Sequence, residues 1–277
     1  MAITIVENFS HRHPRATRVL ETLVPPLVQG GIRKRVFEQN AKTEAPFPIT
    51  VNGREARFSI RNFSDWYRIA GEGFESVFLG EVLNNLQSGD IFVDVGSAQG
   101  LYAVMAAKTG AEVYAVDPDP VSLQSIKENL ALNSDISDSV HVLNVALGDK
   151  DGREHFYVDP KGMYAPSLRR TTRCLKETVE VDVRSLDSLI TAGSIKHPDV
   201  IKVDVEGADG RVLAGMQKTL TSPHRPRHLF IELHPVYLPQ FGTSTGAVLQ
   251  QISDIGYVPV AEIATRSYES QYHFVPV

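Results

Sequence analysis

From Glu75 onward, short apolar runs alternate with stretches of helical spacing. "IFVDVG", "EVYAVD", "HVLNVAL", "DVIKVDV" and "HLFIELH" are rich in β-branched residues and read as strands. Apolar positions three and four apart predict helices over roughly 75–87, 99–109, 119–133, 208–220 and 244–255. This alternation predicts an α/β, doubly wound fold, with a mostly parallel sheet covered on both faces and right-handed crossovers. Between Asp149 and Val183 the rhythm breaks. "REHFYVD", a loop rich in Gly, Pro and Ser, and "ETVEVDV" predict an inserted β-hairpin there, over about 149–183. "YVPVAEI" and "YHFVPV" stand too close for a helix between them, which predicts an antiparallel C-terminal hairpin ending the sheet.

The first 70 residues are mixed in pattern. A helix is expected near 16–24, stopped by Pro25 and Pro26, and a basic helical stretch near 31–40. In "FPITVNGREARFSI", Asn52 and Gly53 separate two alternating runs and mark a hairpin, because both turn positions need positive φ. Residues 1–70 are expected to form an N-terminal α/β cap and 71–277 the main domain.

The bulk numbers narrow the function classes. With 277 residues and 42% hydrophobic content, the chain can bury a sizeable core. Its 28 basic and 33 acidic side chains give a net charge of −5, which argues against a nucleic-acid partner or an anionic membrane surface. One cysteine, Cys174, excludes an internal disulfide framework and a cysteine-rich metal site. With no signal-peptide pattern and no window of about eighteen apolar residues, the chain reads as soluble and cytoplasmic. Nothing in the sequence fixes its oligomeric state.

In "IFVDVGSAQGLYAVMAA", Gly96 and Gly100 fall where a strand turns into a helix, the place where doubly wound folds bind nucleotides. The G-x-G-x-x-G spacing of a dinucleotide fingerprint and the P-loop pattern are both missing. Asp117 ends the next strand, about twenty residues on, where a carboxylate can accept ribose hydroxyls. Asp94 under the loop favours a ligand carrying an ammonium or sulfonium over one carrying phosphates. In "VIKVDVEGADG", Ile201, Val203 and Val205 alternate with Lys202, Asp204 and Glu206, so one side of an otherwise buried strand is charged.

These residues resemble class I S-adenosylmethionine-dependent methyltransferases, and within them the FkbM family. "VDVGSAQGLYAVMAA" is similar to that family's V-D-V-G-A-x-x-G-x-Y motif, and "AVDPDP" to its E-P-x-P segment. "NVALGDKDG" resembles the stretch after its third strand. "VEVDVRSLDSLI" followed by "PDVIKVDVEGADGRVLAGM" resembles its L-D and I-K-x-D-x-E-G-x-E segments, and "IELHP" and the last "GY" continue the likeness. The resemblance covers roughly residues 72–277. Ser97 stands for the motif alanine, Asp117 for the glutamate of E-P, and Asp209 for the glutamate after E-G-x.

The resemblance implies a seven-stranded sheet and methyl transfer from S-adenosylmethionine, most often to a hydroxyl, on a small-molecule or glycan acceptor. Alternatives are N-methylation on the same scaffold, or a non-catalytic nucleotide-binding protein. It implies that Asp94, Gly96, Ser97, Gly100 and Leu101 line the methionine side of the cofactor, Asp117 and Pro118 the ribose, and Val145 and Ala146 the adenine edge. Glu75 resembles a glutamate just upstream of the family's first strand, at the open side of the pocket. In the usual strand order for this fold, Asp204 lies deep, near the methyl donor, while Glu206, Glu232 and His234 bind the acceptor and remove its proton. Lys202 is expected to be a buried charge partner of Asp94 or Asp204. The carboxylates and histidine could hold Mg²⁺ or Ca²⁺, but no fixed ligand spacing is present and no metal is expected. Arg169, Arg170 and Arg173 in the inserted segment either meet an anionic acceptor or form a solvated basic loop.

Overall fold

Strand by strand, alternate side chains of the main sheet pack into two cores on its opposite faces. The computed structural model describes residues 46–61, Asp65, Ile69, 74–158, 166–170, 177–265 and 269–277. The helices expected near 16–24 and 31–40 lie outside these residues. The expected N-terminal hairpin is present as β1 (Phe47–Val51) and β2 (Arg54–Phe58), with Asn52 at φ 50° and Gly53 at φ 75° in its turn.

Helices and strands then alternate as α1 (Phe74–Asn84), β3 (Ile91–Val95), α2 (Leu101–Ala107), β4 (Glu112–Val116), α3 (Pro120–Ala131) and β5 (Val140–Leu143). After the inserted segment come α4 (Leu186–Thr191), β9 (Val200–Val203), α5 (Asp209–Ala214), α6 (Gln217–Thr221) and β10 (His228–Leu233). The chain closes with α7 (Thr245–Asp254), β11 (Tyr257–Thr265) and β12 (Ser270–Pro276).

The seven-stranded sheet has the order β11-β12-β10-β9-β3-β4-β5. β12 pairs antiparallel with both neighbours and the central pairs are parallel, which bears out the mostly parallel sheet with its C-terminal hairpin. On one face Phe92, Val113, Val200 and Phe230 pack with Phe78 of α1, Val104 of α2, Ile126 of α3 and Phe58 of the hairpin. On the other, Val93, Val95, Ile201, Val203 and Ile231 pack with Leu186, Val212, Leu220 and Val248 of α4 to α7. The N-terminal hairpin therefore shares the main core. Among the described residues no helix is long and apolar enough to cross a membrane.

Two expected elements are divided. The run "HVLNVAL" splits into β5 and a short β6 (Ala146–Leu147), which leaves the main sheet. β6 joins β7 (Gly152–Val158) and β8 (Glu177–Arg184) in a separate sheet of order β6-β8-β7, so the inserted hairpin gains a third strand. The helix expected over 208–220 breaks between α5 and α6. A Cβ on Gly215 would stand 1.9 Å from the Gly148 carbonyl, so only glycine lets this break press against the loop after β6.

Candidate functional site

The site is built where the sheet's chain order reverses. β3 has β4 on one side and β9 on the other, and their carboxyl ends open into a cleft. Gly96, at φ 80°, lets the turn after β3 lie against the end of β9; a Cβ there would stand 1.8 Å from the Asp204 carbonyl. Ala98 follows at φ 47°, its N–H donating to Asp117 Oδ2 at 2.8 Å. The N–H of Asp119 donates to Asp117 Oδ1, also at 2.8 Å, so one carboxylate ties the two loops together. Asp119 caps α3 by accepting from Val121 and Ser122, with Pro120 at the first helical position. Burial pushes the Asp117 carboxyl up to about 7, against the pull of its two backbone donors.

Val95, Val116, Val121, Val145, Leu147, Phe156 and Leu168 give the cleft apolar walls. Asp65, Asp117, Asp119, Asp204 and Glu206 also line it, and among the described residues no basic side chain does. Such a wall favours a cationic ligand and disfavours a polyphosphate.

β9 carries charge on one side only because its neighbour does. Lys202 stands opposite Asp94 in register, its Nζ 3.7 Å from Asp94 Oδ1, 3.3 Å from Asp204 Oδ2 and 4.4 Å from the centre of the Tyr102 ring. Lys202 is thus the buried partner of both carboxylates. Asp94 is fully buried, and burial raises its pKa despite Lys202.

Past β9 the backbone turns sharply. Glu206 sits at φ 52° and Gly207 at φ 99°, where a Cβ on Gly207 would stand 2.9 Å from Tyr237 Cβ. This places Glu206 Oε2 3.6 Å from His234 Nε2. Glu232 Oε1 lies 3.5 Å from the same nitrogen, and Asp204 Oδ1 3.9 Å from His234 Nδ1. Glu232 is held by Gln271, its register partner on β12, whose Nε2 donates to Oε2 at 2.6 Å. Burial by itself lowers the His234 pKa, but Glu206, Asp204, Glu232 and Asp209 together raise it to about 9. Asp209, buried at the start of α5, is pushed up to about 7 by burial, with His234 opposing.

Of the residues singled out in the sequence, Gly96, Asp117, Pro118, Val145, Ala146, Asp204 and Glu206 line the cleft. Glu232 and His234 join Asp204 and Glu206 in the adjoining cluster. Asp94, Ser97, Gly100 and Leu101 lie behind the surface: Ser97 Oγ donates to the Asp94 carbonyl, and Gly100 starts α2 against Ile126. The side chain of Glu75, and all of Arg173 and Cys174, lie outside the described residues. Arg169 is exposed, donating to the Leu168 carbonyl and lying 5.6 Å from the Phe241 ring centre.

Sequence reasoning missed Asp65, Gln99, Ser122, Ser125, Phe156 and Leu168 in the cleft wall. Asp65 accepts from the Arg61 backbone and from Gln99 Nε2, so the N-terminal region closes one side. Phe156 arrives on β7 of the inserted sheet, and Leu168 just after Ser167, which bridges to Tyr157. Ser122 and Ser125 sit one turn apart on α3, a helix-face signal that the sequence does carry.

A reversed β12 beside a parallel sheet, with a glycine turn and an acid-ended second strand at the switch point, defines the α/β methyltransferase-like class. Residues 94–259 match the Methyltransferase FkbM domain, and the chain belongs to that family of methyltransferases. It is 27% identical to the hexuronic acid methyltransferase AglP of Haloferax volcanii, over 73% of this chain and 80% of that protein. It is 26% identical to the 2-O-methyltransferase NoeI of Sinorhizobium fredii, over 51% of this chain and 63% of that one. A solved FkbM methyltransferase from Methylobacillus flagellatus aligns with a TM-score of 0.47 at 18% identity, covering 76% of this chain and 52% of its own.

Proposed function

We propose that the chain O-methylates a hydroxyl of a sugar, using S-adenosylmethionine. The observation that carries this reading is the contact of the acid-lined cleft with the Asp204, Glu206, Glu232 and His234 cluster. The names of AglP and NoeI support a sugar acceptor.

The cleft fits the cofactor by its donor set. Asp117 is buried at the strand end with lone pairs left for ribose hydroxyls, Val145 and Ala146 offer an apolar edge to adenine, and Asp204 offers negative charge to a cation. Bound there, S-adenosylmethionine supplies an already activated methyl group. The chain's own part is to orient the acceptor, exclude water and take up its proton. With no ion bound, its four acidic neighbours push the His234 pKa up to about 9, which makes it a poor base at neutral pH. The carboxylate of Glu206, which lines the cleft, is the group that accepts the hydroxyl proton. His234, itself set against Glu232, holds it in place, and Phe156 and Leu168 wall off solvent.

Calorimetric titration with S-adenosylmethionine and with NAD tests the cleft. Binding of the former alone is expected; binding of NAD alone overturns the reading. Methyl transfer to a nitrogen in an acceptor screen would instead favour N-methylation.

A further inference from the structure

We infer that Asp204, Glu232 and His234 form a binding site for a divalent cation of the Mn²⁺ and Mg²⁺ class, at the acceptor end of the cleft. One ligand atom from each residue lies within 4.8 Å of the other two. They come from adjacent parallel strands: Asp204 follows β9, Glu232 is the next-to-last residue of β10 and His234 comes just after that strand. The set is two carboxylates and one imidazole, oxygen-rich with a single nitrogen, which suits Mn²⁺ or Mg²⁺ better than the sulfur-seeking metals; the imidazole ligates in its neutral form, so the ion displaces its extra proton to solvent.

A second observation points to the same place. Asp209 is fully buried, and neither of its carboxylate oxygens meets a hydrogen-bond partner from another residue. Asp209 opens α5, five residues after Asp204 along the same turn of chain. His234 Nδ1 is likewise buried without a hydrogen bond. The imidazole's contacts with Asp204, Glu206 and Glu232, at 3.5 to 3.9 Å, are all longer than hydrogen bonds. Cis donors around an octahedral ion with bonds of about 2.1 Å stand about 3 Å apart, so a small inward adjustment closes the set on an ion. Asp204 and Glu206 line the cleft, which leaves the ion's remaining positions facing the acceptor. An ion there would draw in an acceptor hydroxyl or carboxylate past the acidic wall and acidify a hydroxyl. That role rests on the methyltransferase reading; the binding itself does not.

The test is titration of the full chain with Mn²⁺, followed by loss of the free-ion paramagnetic resonance signal, on wild type and on Glu232→Gln and His234→Gln. Saturable 1:1 binding below millimolar, weakened by about 10-fold or more in either variant and competed by Mg²⁺, is expected. Glu232→Gln keeps an oxygen for Gln271, and S-adenosylmethionine titration of each variant shows that it is folded. No saturable Mn²⁺ binding to wild type overturns the site, as does binding unchanged in both folded variants. Wild type that binds S-adenosylmethionine but not Mn²⁺ loses the cation site alone; the reverse loses the cofactor reading alone.

Discussion

The Glu206 carboxylate comes within 3.6 Å of His234 Nε2 from a backbone turned to φ 52°. A non-glycine residue there costs on the order of 1 kcal/mol, and the strain aims one acid into the cleft while Gly207 lets Tyr237 close behind it.

Glu206→Gln therefore lowers kcat by roughly 10²- to 10⁴-fold while leaving S-adenosylmethionine affinity unchanged. Glu206→Gly removes the acid and the strain together: activity falls as far, but unfolding stability stays within about 1 kcal/mol of wild type. Denaturant unfolding and turnover, measured side by side, check both. A loss of stability well beyond that, or retained turnover, would show that Glu206 serves the fold and not the reaction.

Asp117 gives a pH signature. Its carboxyl, raised by burial to about 7, holds its proton more tightly in the folded protein than in the unfolded chain. It therefore lowers stability progressively as pH rises from about 4 to about 7, with no further change above. Ionisation equips it to accept ribose hydroxyls, so S-adenosylmethionine binding tightens by up to about tenfold between pH 6 and pH 8. Asp117→Asn binds more weakly and removes that part of the pH dependence. Identical pH profiles for variant and wild type would detach Asp117 from the cofactor.

Gly96→Ala separates close approach from simple turn strain. Its Cβ would stand 1.8 Å from a backbone oxygen, whereas one on Gly193, at φ 71°, meets nothing within 4 Å. Gly193→Ala should cost about 1 kcal/mol and Gly96→Ala about 3 kcal/mol or more, with loss of cofactor binding. Equal costs in urea unfolding would refute the close packing of the two loops.

Lys202→Met leaves Asp94 buried without its cation and should destabilise the protein by about 3–5 kcal/mol. Adding Asp94→Asn should recover part of that loss, because the uncompensated charge goes too. Additive losses in the double variant would show that the pair is not coupled.

Most of the scaffold was legible because period-2 and period-3.6 apolar patterns report burial directly, as in Ile201 and Val203 on one side of β9 and Lys202 on the other. The Asn52-Gly53 turn was legible because few residues take its positive φ. Glu206, Glu232 and His234 were gathered by the strand order that the family resemblance implies. Asp65 and Phe156 were not, because they reach the cleft from segments outside the alternating core, where no period links a residue to the site. The raised pKa of His234 was also hidden, since it depends on four carboxylates brought together from separate elements. The break at Gly215 depends on a backbone contact with Gly148, 67 positions earlier (215 − 148), that no local pattern records.

The most direct test of the central claim is transfer of a labelled methyl group from S-adenosylmethionine to sugars, with and without a carboxylate, by wild type and by Glu206→Gln. The account predicts a base-stable methyl ether from wild type and its loss in a Glu206→Gln protein that still binds S-adenosylmethionine. A base-labile methyl ester as the product, or undiminished ether formation by Glu206→Gln, would contradict it.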